Sequence, residues 1–501
     1  MTNILTPTDS GNYRHFGLEQ IFTNAKVVNE LNITAVVIDA LTVFNRNKLQ
    51  ITELQEQYKG DQVILYRQPT SNQPVNERVN MNLFPTLATT WVGLILGEKT
   101  DYVFNGKEKE KAKREDMNEI IKHVRINHDV LLDKETLFDL FITGIAYQYC
   151  GGQKKDGKPA LMANIPADSC FTIHSREIGY PTIASVIVGK TAMNKEQLSV
   201  YTDTRKFILE QDETTLNTYS IVQNIQHYLP ENPIQEIKLN PQLLSMVAQG
   251  ESVQNALNMA VSESINDTIF QMRSMLFIMG AELTKENMQL AKEFGILNVT
   301  TTDGRQVSAE YLTKPLDETI NSLRSMLFDV LYFIMGIPST NGGTSGNTGA
   351  AVVASGMQTM DLVAYSIQLE MKKAKTAMLD NLITLLRSNK IITSEISAID
   401  VDIVFDRQLV MDIVGSADAF SKLKVAGFPD RDNLKVTKLS SDVDRVAIEM
   451  KKAADEVAQK AKDAILNAVA TPTNNSTTTS PPTDPNIAPN PNNVQGGGIN
   501  A

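Results

Sequence analysis

The sequence predicts an α+β fold that is mainly helical. Two patterns carry this. Long segments place apolar residues three and four apart, the spacing of one helix face. Between them, a stretch from about residue 143 to 228 breaks into strand-sized alternating runs bounded by turn residues. A third observation sets the scale: the 501-residue, 55.4 kDa chain is 42% hydrophobic and 21% charged, ordinary values for a chain that mostly folds. At about 150 residues per domain, that length suggests roughly three structural units.

Taken in order, residues 1 to about 140 read as mainly helical, with Ile33–Phe44 dense in Val, Ile and Leu. Asp61–Tyr66 reads as a short strand after Lys59-Gly60, and the mixed-sign run Lys107–Asp116 as a solvated helix face or loop. In the β region, Ile145–Cys150 runs through glycine-rich turn residues into Ala160–Ile165. Cys170–His174, Thr182–Val188 and Gln197–Tyr201 continue the series as an antiparallel sheet. Val253–Met279 reads as one helix of over 20 residues, with Leu257, Val261, Ile265, Ile269, Met272, Leu276 and Met279 in one stripe and Gly280 as its stop. A short excursion follows, with strand-like pieces at 295–299 and 307–313. A second helix opens at Pro315, which needs no amide partner in a first turn; its stripe is Leu316, Ile320, Leu323, Leu327, Val330, Leu331 and Ile334, and Gly336 and Pro338 end it. The segment Ser339–Gly349 has no charge and no large apolar side chain, which predicts a mobile loop. Ala350 to about Arg387 reads as a very long helix, with a kink expected at Gly356 and with Lys372, Lys373 and Lys375 in its later part. Ile399–Phe405 alternates like an edge strand with Asp on one face. Two more helical stretches follow, the last from Ser441 to Val469 with Ser441 and Asp444 spaced as a capping box. Of the 31 residues in 471–501, 24 are Asn, Pro, Thr, Ser or Gly, too polar a tail to offset chain entropy; it should be disordered.

Composition excludes several function classes. Lys and Arg number 47 against 58 Asp and Glu, a net charge of −11, which argues against a protein that grips nucleic acid through phosphates. Only Cys150 and Cys170 are present, and the start has no basic region followed by an apolar one, so the expected compartment is a reducing cytoplasm. The longest uncharged apolar stretch, Leu83–Gly97, is short of the roughly 20 residues that span a bilayer, so no membrane contact is expected. Gly189-Lys190-Thr191 resembles the end of a phosphate-binding loop, but Ala184 stands where its first glycine belongs. The glycines of 342–349 lack the dinucleotide-binding pattern and a strand leading into them. His15, His123, His128, His174 and His227 form no metal-ligand spacing, and the cysteines have no CxxC partner. Asp400, Asp402, Asp406 and Asp412 could be imagined as the carboxylates of a metal-dependent nuclease, but alternating Asp residues are also what the outer face of a strand needs. Ser421–Lys424 fits SxxK without companion motifs. No catalytic residue, cofactor site or metal site is expected.

The order of these elements resembles the portal, or head-tail connector, proteins of tailed bacteriophages. Asn80 and Asn82 followed by 97–106 are similar to that family's early segment, and Gly144–Tyr147, Asn164–Asp168 and Cys170–Ile173 to its β region. Ser262–Asp267 sits where the family enters its first stem helix. Gly336-Ile337-Pro338 and Ser345–Ala351 resemble the segment that forms its tunnel loop and opens the next helix. Val404–Arg407 and Lys438–Arg445 resemble its last blocks before the tail, so the resemblance covers about residues 20–465.

The resemblance implies a portal-type fold with wing, stem, clip and crown. The wing would be residues 1–252, including the antiparallel region at about 143–228. Stem helices would be 253–279 and 315–336, flanking a clip at 280–314. A tunnel loop at 337–349, a long wing and tunnel helix at 350–398, a crown at 399–470 and the disordered tail at 471–501 complete the chain. It implies a ring of twelve copies at one capsid vertex, made in the bacterial host cytoplasm, through which double-stranded DNA is packaged and ejected without sequence readout. Partners would be the terminase large subunit, a head-tail adaptor, and the major capsid and scaffolding proteins. Asn341, Gly342, Gly343, Thr344, Ser345, Gly346, Asn347, Thr348 and Gly349 would line the channel. Lys372, Lys373 and Lys375 would offer weak phosphate contacts or form a solvated helix face, and the two stripes from Leu257 and Leu316 would pack the stem within and between subunits, an ordinary helical core being the alternative. Twelve helices of about 10 Å diameter side by side give a centre-line circle about 38 Å across and a lumen of about 28 Å, wider than a duplex of about 20 Å. A ring-forming head-tail adaptor or minor capsid protein is the structural alternative, and a nuclease the enzymatic one.

Overall fold

A computed structural model of the chain describes residues 17–69, 76–97, 100–104, 111–155, 158–212, 218–272, 276–279, 285, 308–311, 318–337, 349–405, 413–437 and 443–469. The chain divides into two compact units, Met1–Met411 and Asp412–Ala501.

The first unit opens with a two-residue strand, β1 (Phe22–Thr23), and helix α1 (Ile33–Lys59). The buried residues of α1, from Ile33 through Val37, Leu41 and Phe44 to Ile51, keep one stripe, and Gly60 in the left-handed region (φ 105°) closes the helix. The stripe lies on a six-stranded sheet of order β1-β5-β6-β7-β8-β9, with Phe44 stacked on Phe171. Its strands are β5 (Cys170–Ser175), β6 (Thr182–Lys190), β7 (Glu196–Tyr201), β8 (Arg205–Gln211) and β9 (Tyr219–Gln226). They pair antiparallel, while β1 joins β5 in parallel. A second sheet, order β10-β3-β4, joins β3 (Ile145–Lys155), β4 (Lys158–Ile165) and β10 (Ile234–Lys238). The alternating region expected from 143 to 228 is therefore present and extends to Lys238.

A larger core gathers around α2 (Phe84–Leu96), α4 (Asp129–Thr143), α5 (Met246–Met272), α6 (Glu318–Ile334) and α7 (Gly349–Ser388). Trp91 and Phe141, both fully buried, meet edge to face at its centre. A third cluster packs α3 (Lys111–Ile126) and the end of α7 against a strand pair, β2 (Thr100–Phe104) with β13 (Val401–Phe405). Leu276–Met279 forms β11, antiparallel to β12 (Ser308–Tyr311), with Ile278 opposite Ala309.

Several expectations are corrected. Val63–Tyr66 is a 3-10 turn rather than a strand: among the described residues it pairs with no strand, and the Tyr66 hydroxyl folds back to donate to Asp61 Oδ1 at 2.6 Å. Helix α5 begins at Met246, seven residues before the expected start, and ends at Met272. Leu276 therefore leaves the helical stripe; Leu-Phe-Ile-Met is an apolar run that a paired strand accommodates equally well. Helix α7 runs on through Gly356 without a break. Asp400 belongs to a 3-10 turn (Ala398–Asp400), where it and Ser397 cap each other, so only Asp402 stands within the strand. The strand at 295–299, the Pro315 start, Ser441 of the expected capping box and the tail at 471–501 lie outside the described residues, while Asp444 lies in the helix Val443–Val469.

The second unit holds α8 (Ile413–Val425), α9 (Asp430–Thr437) and α10 (Val443–Val469). Asn433 ties α9 to the preceding turn by donating to the Phe428 carbonyl at 3.1 Å, and Lys424 pairs with Asp430 at 3.2 Å.

Candidate functional site: a helix pair and its polar ladder

Helices α5 and α6 cross where the first carries Gly250. A Cβ there would lie 2.4 Å from Met335 Cε and 3.0 Å from Leu331 Cδ1, so the missing side chain is what lets buried Leu331 of α6 and Met335, just past its end, seat against α5. Met246 and Val247 complete this apolar contact.

From Gln254 onward the character of α5 changes. Its buried face becomes Gln254, Asn258, Ser262 and Asn266, each at most 5% exposed and each four residues from the last. These side chains grip the backbone of residues 77–81. Asn266 Oδ1 accepts from Glu77 N at 2.8 Å, Ser262 Oγ from Val79 N at 3.0 Å and Asn258 Oδ1 from Met81 N at 2.9 Å, while Gln254 donates to Met81 O at 2.6 Å. The spacing explains the match. Four helical residues rise about 6 Å and two extended residues cover about 6.6 Å, so every fourth side chain meets every second amide.

The even-numbered residues of the same strap face the other way. Asn80 donates to Gly60 O at 2.6 Å, Asn82 to Tyr58 O at 2.9 Å, and Arg78 to Leu65 O at 2.6 Å. Asn258 also donates to Gln62 Oε1, and Arg67 pairs with Glu263. The strap is thus stitched between α5 and the turn after α1 by groups that are mostly uncharged amides. The sequence reading missed this ladder. Its signal, polar residues at 254, 258, 262 and 266, ran beside the apolar stripe that drew attention.

The expected stem residues are distributed unevenly. Leu257 is buried; Val261, Ile265 and Ile269 are half-buried; and Met272 ends the helix. On α6, Leu327 and Ile334 are half-buried, whereas Leu323 and Val330 are exposed; the residues buried within the chain are Leu331 and Met335. Ile320 lies in the first turn of α6, and Leu316 is outside the described residues. Of the expected channel loop, 341–348 are likewise outside them, and Gly349 is the first residue of α7.

Two of the three lysines expected to contact phosphate are already engaged. Lys375 is buried, with its ammonium 2.7 Å from Asp133 Oδ1 and 3.2 Å from the Tyr102 hydroxyl. Burial opposes its charge, but Asp133 and Tyr102 outweigh that and hold its pKa above the ordinary lysine value. It ties α7 to α4 and β2 and is not at the surface, because the Asp133 carboxylate, itself bonded by Thr100 Oγ1 at 2.8 Å, needs a buried cation. Lys372 pairs with Asp402, and Lys373 is exposed.

The imagined nuclease carboxylates do not converge. Asp400 pairs with Lys113 at 3.4 Å and Asp402 with Lys372, while Asp406 and Asp412 are outside the described residues. No group of three or more His, Cys, Asp or Glu among the described residues is placed to hold a metal ion. His174 is instead tied to buried Glu236 at 2.8 Å across the two sheets, and burial pushes the Cys150 thiol up to about 12. No helix of the described residues is long and apolar enough to cross a membrane.

The first unit thus holds a two-sheet body and a helix pair, α5 and α6, with the paired strands β11 and β12 between them in sequence. Residues 41–463 match the family described as phage portal protein, SPP1 Gp6-like, and the chain belongs to that family. It is a portal protein of phage type, from a family that is structural rather than enzymatic. Among solved structures it is similar to chains from the neck of an empty gene transfer agent particle (TM-score 0.44, 11% identity, 72% of this chain and 90% of that one) and from the native gene transfer agent virion (0.40, 11%, 72% and 90%). The neck of the native particle gives 0.41, 10%, 72% and 90%. No curated protein matches.

Proposed function

We propose that this chain assembles, as twelve copies, into the portal ring at one vertex of a phage capsid and forms the conduit for double-stranded DNA during packaging and ejection. The observation that carries the reading is the family match over 41–463, which spans both helices of the pair and everything between them. In this reading residues 253–279 and 315–336, which hold most of α5 and all of α6, are the stem. Residues 280–314, which include β12, are the clip that meets the terminase and later the head-tail adaptor. The loop at 337–349 faces the channel, residues 1–252 and 350–398 form the wing, and 399–470 the crown. Capsid and scaffolding proteins are the remaining partners, and the virion vertex is where the ring resides. The acidic balance, −11 per copy, suits a channel through which DNA slides.

The test is the native mass of the purified chain with particle images from the same sample. A closed ring with a central hole near 665 kDa, twelve times 55.4 kDa, or at a neighbouring symmetry, is expected. A chain that stays at one copy overturns the reading, and one that also cuts DNA or hydrolyses nucleotide revives the enzymatic alternative.

A further inference from the structure

Among the described residues, two faces of the helical layer are left uncovered. Helix α6 turns Leu323 (44% exposed), Met326 (55%), Val330 (36%) and Phe333 (76%) outward, in steps of three, four and three. Helix α7 turns Leu362 (69%), Tyr365 (58%) and Leu369 (50%) outward, in steps of three and four. In each helix these residues lie off the buried face, which is Leu331 and Met335 on α6 and Met360, Ala364, Ile367 and Met371 on α7. Each stripe is one-sided at helical spacing, the pattern of a face that packs on another helix.

We propose that the α6 stripe of one copy packs on the α7 stripe of the next. The inference rests on the ring reading above and names the surfaces that close it. A ring needs a heterologous contact, in which one patch meets a different patch on the neighbour; a single self-complementary stripe would give a two-fold dimer instead. This chain carries two different stripes, about 15 Å long on α6 and about 10 Å on α7 at 1.5 Å per residue. On the open α6 face Ser322, Ser325 and Asp329 lie beside Met326, Val330 and Phe333, whereas the α7 stripe is Leu362, Tyr365 and Leu369. The serine hydroxyls supply hydrogen-bond partners that the Tyr365 phenol needs once water is excluded.

The test uses cysteine pairs in the full chain, Met326→Cys with Tyr365→Cys and, separately, Val330→Cys with Tyr365→Cys. The two pairs bracket the centre of the contact whichever way the helices run. The native thiols, Cys150 and Cys170, are buried and free, so background linking is low. After mild oxidation, a denaturing gel without reductant is expected to show a ladder at multiples of 55.4 kDa for at least one pair, and the single variants to stay at one copy. Three results overturn the proposal. Rings seen by native mass with no ladder from either pair would leave the ring standing and remove this pairing. Linked dimers from Met326→Cys alone would show α6 packing on itself. Native masses of one copy for both the unsubstituted chain and the variants would remove the ring reading and the pairing together.

Discussion

At the scale of single residues, the polar ladder decides more than the apolar stripe beside it. Asn258 accepts from Met81 N and from Gln254 and donates to Gln62, so one side chain satisfies three buried partners. Replacing it with leucine keeps the volume but strands those partners, at about 1–3 kcal/mol for each buried group left unpaired. Asn258→Leu should therefore lower the denaturant midpoint and speed amide exchange at Met81, Val79 and Glu77 ahead of the rest of the chain; uniform exchange would contradict the ladder's role. Asp139 offers a pH-dependent case. Burial first, then Glu135 and Asp168 nearby, lift its pKa from 3.8 to about 7, against the pull of the 2.7 Å bond it accepts from Asn164 Nδ2. The folded state then holds this proton more tightly than the unfolded one, so the contribution of Asp139 to stability is fully present below about pH 4 and is lost as pH rises towards 7. Asp139→Asn removes that loss while its amide oxygen still accepts from Asn164. Urea unfolding should show a gain of about 1–3 kcal/mol at pH 8 and little at pH 4; equal effects at both would refute the assignment.

At the scale of elements, junctions are set by contacts that no local pattern announces. Gly144 ends α4 and starts β3 with φ 81°, and a Cβ on it would sit 2.7 Å from the Leu243 carbonyl oxygen. Its own carbonyl accepts from Leu239 N at 3.0 Å, so the turn cannot relax outward freely. Gly144→Ala should cost about 2 kcal/mol or more, left-handed strain and backbone clash together, read as a lowered melting temperature. A cost within about 0.5 kcal/mol would mean that the junction yields. What the sequence made legible follows from range. The apolar run at the start of α1, the strands β5 to β7 and the long α7 were readable because each is a sustained apolar or periodic run or is bounded by turn residues. The end of α5 was misplaced because Leu276–Met279 fits either period, and only the pairing with Ser308–Tyr311, some thirty residues on, selects the strand. Lys375 looked like a surface cation because its partner Asp133 is far away in sequence. The strap at 77–82 was invisible because its bonds use backbone amides, which every sequence supplies.

At the scale of the whole molecule, charge separates a conduit from a clamp. Each phosphate neutralised by a bound protein adds close to one unit to the slope of log affinity against log salt, and proteins that hold duplex DNA firmly reach slopes of about 6–10. Here the net charge is −11, two of the three lysines on α7 are spent in ion pairs with Asp402 and Asp133, and only Lys373 of that set is exposed. Assembled copies should therefore retain linear duplex DNA weakly, with a slope of magnitude below about 2 in filter binding between 50 and 200 mM salt. Lys373→Ala should lower that slope by no more than about one unit, because a single exposed cation per copy can reach only the phosphates passing its own position. Lys375→Met, by contrast, should leave the slope unchanged and cost stability, since it strands the Asp133 carboxylate in the core. A slope near 6 in the unsubstituted ring would require a basic surface elsewhere in the chain and would turn the reading from a channel that lets DNA slide to one that grips it.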